Sequence, residues 1–85
     1  MLSGAELKEF RERRGLSLRD VEAYCDVTNQ LISYVENGDK PVTEHNHREI
    51  CDGINKAYFD KVNGKLKTKD DKKVEDKKPE AKKVK

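Results

Sequence analysis

Eighty-five residues, 33% hydrophobic and 42% charged, support one small domain. From Lys65 onward the chain is almost entirely Lys, Asp, Glu, Thr, Pro, Ala and Val, too poor in apolar groups to offset the entropy of ordering, so residues 1–64 are expected to fold and residues 65–85 to form a disordered Lys-rich tail. A domain of this size buries only about 60% of its unfolded surface, which argues against a deep catalytic pocket. Residues 1–64 hold nine Lys or Arg against twelve Asp or Glu and residues 65–85 hold ten Lys against five acids, for a net charge of +2; the folding part is not a basic domain, and affinity for a polyanion has to come from local patches and the tail.

At the N-terminus, Glu6 and Glu9 interrupt the apolar stretch that a secretory signal requires, and no window approaches the length of a membrane span. The expectation is a cytoplasmic protein with no membrane association. Ser3 followed by Glu6 is a capping box; Leu7, Phe10 and Arg14 then share a face, and Gly15 stops a first helix over residues 4–14. Ser17 with Asp20 repeats the box and opens a second helix of about eight residues, whose buried stripe is Leu18, Val21, Tyr24 and Cys25. Asp26 and Val27 make a very short turn. Thr28 caps a third helix that ends at Asn37 and Gly38, and residues 38–41 form a polar loop. Thr43 and Glu44 start a last helical stretch in which Ile50, Ile54, Tyr58 and Val62 recur every four residues, broadened by Cys51, Ala57 and Phe59. Gly53 is a position where this stretch could kink or split. By default Tyr58 and Phe59 close the core, and the competing role for them is a dimer patch. Cys25 and Cys51 lie among apolar positions and read as buried thiols instead of a disulfide.

The most informative segment is TNQLISYVENG at residues 28–38. Its opening turn offers Thr28, Asn29 and Gln30 to solvent while Ile32 and Val35 form an apolar seam. Asn and Gln side chains pair bidentately with adenine in the major groove, and a helix N-terminus favours phosphate.

With RRGLSLRDV at residues 13–21, VTNQLISYVENG at residues 27–38, and Pro41 and Ile50 beyond them, the stretch from Leu7 to Ile54 resembles the Cro/C1-type helix-turn-helix family of phage repressors and related bacterial regulators. The resemblance implies an all-α, four- to five-helix, lambda-repressor-like domain. It implies that Asn29, Gln30, Ser33 and Tyr34 face the major groove, and that Thr28 lies near a phosphate or a thymine methyl. It places amides around Asn37, Gly38 and Lys40 on the phosphates and the start of the second helix across the backbone. Arg11 and Glu36 match a partly buried salt bridge that locks the first helix to the recognition helix. The chain departs from the family pattern at Glu22, where alanine is usual, at Asp26, where a glycine usually takes the turn, and at Leu18, which replaces a polar residue that touches phosphate in some relatives. Ser17 and Arg19 would then serve the phosphate. Glu22 can turn toward the amides that open the third helix, whose dipole favours a carboxylate. Arg13, Arg14 and Arg19 are each ordinary surface charges taken singly, with at least one expected to meet a phosphate.

His45, Asn46 and His47 spell the letters of a nuclease name without its strands, and the histidines read as exposed first-turn residues. Cys25, Cys51, His45 and His47 lack zinc-site spacing. No catalytic constellation, metal site or cofactor is expected. The reading is a sequence-specific regulator of transcription that binds double-stranded DNA, with a homodimer as its expected assembly and the last helix at Tyr58 and Phe59 as the candidate contact should those residues not close the core. The chief rival is an interaction module, such as an antitoxin or adaptor, that keeps the fold and grips a protein; a small nuclease is the third. The tail either solubilises the domain or tethers it nonspecifically to DNA.

Overall fold

The computed structural model describes residues 1–68, which form four α-helices and no strand: α1 (Gly4–Arg13), α2 (Leu18–Glu22), α3 (Asn29–Glu36) and α4 (Glu44–Val62). Each starts on a hydroxyl N-cap, Ser3, Ser17, Thr28 and Thr43, whose side chain accepts a first-turn amide. A cap of this kind stabilises its helix by about 1 kcal/mol. The boxes at Ser3/Glu6 and Ser17/Asp20 are reciprocal, with the carboxylates accepting the cap amides at 2.8 Å in both cases.

Helix α3 ends in a Schellman closure. Asp39 N donates to Tyr34 O at 2.8 Å and Gly38 N to Val35 O at 3.2 Å, with Gly38 at φ 84°, a left-handed conformation that costs other residues about 1–2 kcal/mol. Helices α1 and α4 close with the same pair of bonds.

The helices enclose one core of Leu7, Leu16, Val21, Val27, Ile32, Val35, Ile50, Ile54 and Ala57. Across it, Arg11 Nε and Nη2 donate to Glu36 Oε2 and Oε1 at 2.8 and 2.9 Å, and Nη1 donates to Leu16 O at 2.8 Å. Both residues are only 7% exposed. This fork ties α1 to the end of α3 and to the loop entering α2, using the planar geometry that suits a guanidinium to a carboxylate.

Several features differ from the sequence reading. Helix α2 is five residues long because its continuation tightens: Tyr24 N donates to Val21 O and Cys25 N to Glu22 O, both three-residue spacings. The turn before α3 is correspondingly longer than Asp26 and Val27 alone, and Asp26 N is held by Glu49 Oε1 of α4 at 3.1 Å. Helix α4 runs unbroken through Gly53. A Cβ there would meet Val21 Cγ1 at 3.0 Å and Val21 O at 3.2 Å, so this glycine serves the approach of α2 to α4 and not a kink. Tyr58 and Phe59 do not close the core; they are 41% and 67% exposed, and Val62 beside them is 62% exposed, because Ile54 and Ala57 already fill the inner face. Cys25 and Cys51 are half-buried free thiols, their pKa values pushed up chiefly by burial. His45 is exposed, whereas His47 is half-buried and its Nε2 accepts Leu2 N at 3.1 Å.

The chain also stays on the domain past Gly64. Leu66 packs against the core, Lys67 N donates to the Tyr24 hydroxyl at 3.0 Å, the Lys67 ammonium lies 4.5 Å from the Tyr24 ring centroid, and the buried Thr68 hydroxyl donates to Asp20 Oδ1. The boundary expected at residue 64 therefore falls inside the packed chain: one leucine and two hydrogen-bonding side chains suffice to seat residues 65–68. The rest of the expected tail, residues 69–85, lies outside the described residues.

Candidate nucleic-acid interface

Helix α3 turns Ile32, Val35 and Glu36 inward. Its opposite side carries the residues singled out in the sequence. Thr28, Gln30, Tyr34 and Asn37 are exposed, and Asn29 and Ser33 are half-buried. Two four-residue rungs brace this ridge: Gln30 Nε2 donates to Tyr34 Oη at 3.1 Å and Asn37 Nδ2 donates to Ser33 Oγ at 3.4 Å. Such i,i+4 pairs are neighbours on a helix surface. The ridge thus presents amides and hydroxyls in a row with no charged side chain of its own, since the one acid of α3, Glu36, is consumed by Arg11.

Asn29 is engaged. Its backbone N–H donates to Glu22 Oε2 at 3.0 Å and its side-chain Nδ2 donates to Glu22 Oε1 at 3.1 Å. Glu22 thus reaches the opening of α3, and the two hydrogen bonds from Asn29, the backbone one foremost, hold its carboxyl below the usual carboxylate range. The turn toward these amides is foreseeable from the dipole of α3. The grip on the Asn29 side chain was not, because nothing local relates positions seven apart across a turn.

The phosphate candidates are distributed around this ridge. Thr28 is exposed, with its hydroxyl accepting Leu31 N; Ser17 is half-buried as the cap of α2; Arg19 and Lys40 are exposed. The amides of Asn37, Gly38 and Lys40 do not point outward. They donate to Ser33 O, Val35 O and Tyr34 O at 3.0, 3.2 and 3.2 Å, since closing α3 requires them for its last carbonyls. What this corner can offer a phosphate is the side chains of Asn37 and Lys40, and Gly38 serves the closure. Arg13 pairs with Glu9 at 2.8 Å. Arg14 donates to Phe10 O and lies 4.1 Å from the Phe10 ring centroid, a cation–π contact.

Among the described residues no three His, Cys, Asp or Glu side chains come together as a metal ion requires, and no helix is long and apolar enough to cross a membrane. The helix-turn-helix domain family matches residues 4–55. The chain belongs to that family. The family is one of DNA-binding domains. No curated protein and no solved structure matches the chain.

Proposed function

We propose that this helix-turn-helix protein binds duplex DNA sequence-specifically and regulates transcription sterically, by occupying an operator and so excluding or recruiting polymerase. The observation that carries the reading is the polar ridge of α3, standing outward on a helix whose other side is locked into the core by Ile32, Val35 and the Arg11–Glu36 fork. Asn29, Gln30, Ser33 and Tyr34 read base edges. Thr28, Asn37, Lys40, Ser17 and Arg19 meet the phosphates and set the register. The domain itself is acidic, so the side chains at the interface and the lysines past residue 64 supply the attraction to DNA. Duplexes selected from random sequence by the purified chain should share a motif, and affinity for them should exceed that for scrambled duplex while falling with salt. Binding without preference that disappears when residues 69–85 are removed would reject the reading.

The proposal extends to a homodimer through Tyr58 and Phe59, which spaces two recognition helices for half-sites about one DNA turn apart. A second reading, a protein-interaction module, draws on the same exposed Tyr58, Phe59 and Val62 and on the carboxylate of Glu22 at the mouth of α3. Sedimentation of the chain with and without selected duplex separates the two.

A further inference from the structure

The Glu22 carboxylate closes on a single residue with both oxygens, one on the backbone N–H of Asn29 and one on its side-chain Nδ2. Reaching both at once requires the Nδ2 hydrogen that faces the main chain. The amide plane is thereby fixed, and the edge left for other partners consists of Oδ1 and the second Nδ2 hydrogen beside it. That edge is the acceptor–donor pair that matches adenine N6–H and N7. We propose that Glu22 is a specificity-determining positioning residue: it holds the Asn29 amide in the one orientation that reads adenine, at the cost of a negative charge beside the groove. The inference rests on the reading of α3 as the base-reading helix.

Two opposing consequences make it testable. Without the carboxylate, affinity for any duplex rises because a like charge near the phosphates is gone, while discrimination at one base pair falls because the Asn29 amide is free to turn. The full-length wild type, Glu22→Ala, Glu22→Gln, Asn29→Ala and the double variant are compared on a selected duplex and on its set of single base-pair substitutions. The pair read by Asn29 is the one whose substitution ceases to matter in Asn29→Ala. At that pair Glu22→Ala should move toward the Asn29→Ala value, losing part of the about five- to 150-fold that a bidentate contact supplies, while binding random-sequence duplex more tightly. Glu22→Gln, which keeps an acceptor for Nδ2, should retain discrimination, and Glu22→Ala should have no further effect at that pair in the Asn29→Ala background. Glu22→Met, of similar length and without an oxygen acceptor, gives the same comparison if the alanine variant does not fold. Discrimination at the Asn29 pair left intact by Glu22→Ala overturns the inference alone. A wild type with no base preference at any position overturns the reading beneath it, and the inference with it.

Discussion

Replacing Arg11 by methionine leaves the buried Glu36 carboxylate without its two guanidinium donors and the Leu16 carbonyl without its Nη1 donor. Losing one member of a buried pair costs about 3–5 kcal/mol, because the surviving charge stays out of water uncompensated. A domain of this size holds only about 3–10 kcal/mol in total, at roughly 0.05–0.15 kcal/mol per residue. The single variant is therefore expected to sit at the edge of folding, with a melting temperature lowered by at least about 12 °C at about 4–8 °C per kcal/mol. Pairing Arg11→Met with Glu36→Leu removes both charges. Apolar replacement of a whole buried pair is often neutral or stabilising by about 1–4 kcal/mol, against which stands about 1–3 kcal/mol for the Leu16 carbonyl. The double variant should recover most of the loss. Urea unfolding followed by far-ultraviolet circular dichroism measures wild type, Arg11→Met, Glu36→Leu and the double variant. A single variant within about 1 kcal/mol of wild type, or a double variant as unstable as the sum of its parts, would show that the fork is a surface-like pair and refute the reasoning.

Other expectations follow from particular contacts. The Asn29 hydrogen bonds depress the Glu22 carboxyl, so their stabilisation is fully present above the unfolded-chain value of about 4.3 and is lost as pH falls through the lower folded value; the stability difference between wild type and Glu22→Gln should vanish over that acidic window in pH-dependent unfolding. Gly38→Ala meets no neighbour but must hold φ 84°, so thermal unfolding should register a loss of about 1–2 kcal/mol; an unchanged melting temperature would mean that α3 closes in another way. A chain ending at Gly64 should be less stable than one ending at Thr68 by about 2–4 kcal/mol, from the half-buried Leu66 and the Asp20 hydrogen bond it loses. Equal stability of the two truncations would place residues 65–68 outside the cooperative unit.

What was legible in the sequence was mostly local. The capping boxes at Ser3 and Ser17, the caps at Thr28 and Thr43 and the glycine stops are decided within four or five residues, and the structure has them where the spacing predicts. The inward stripe of α3 is likewise a matter of period. Tertiary features were less readable for definite physical reasons. A glycine such as Gly53 signals either backbone freedom or close approach, and only the position of Val21 tells which. The apolar stripe of α4 is wider than the core it faces, so periodicity alone could not sort Ala57, which is buried, from Phe59, which is exposed. Residues 65–68 looked like tail because composition weighs them by number, whereas Leu66 and Thr68 act individually. At the interface the residue types pointed to base reading, but the hold of Glu22 on Asn29 depends on how the turn before α3 folds back, and the Asn37, Gly38 and Lys40 amides turn inward because the closure of α3 itself uses them.

The central claim, that the outer ridge of α3 is the surface that meets DNA, is tested most directly by titrating isotope-labelled chain with a selected duplex and following each backbone amide by nuclear magnetic resonance. The account predicts the largest shifts from Thr28 to Lys40 and at the start of α2 near Ser17 and Arg19, with the outer face of α4 at Tyr58, Phe59 and Val62 little changed in a variant held monomeric. Shifts centred on Tyr58 and Phe59 in that variant, or confined to the chain beyond Thr68, would contradict it.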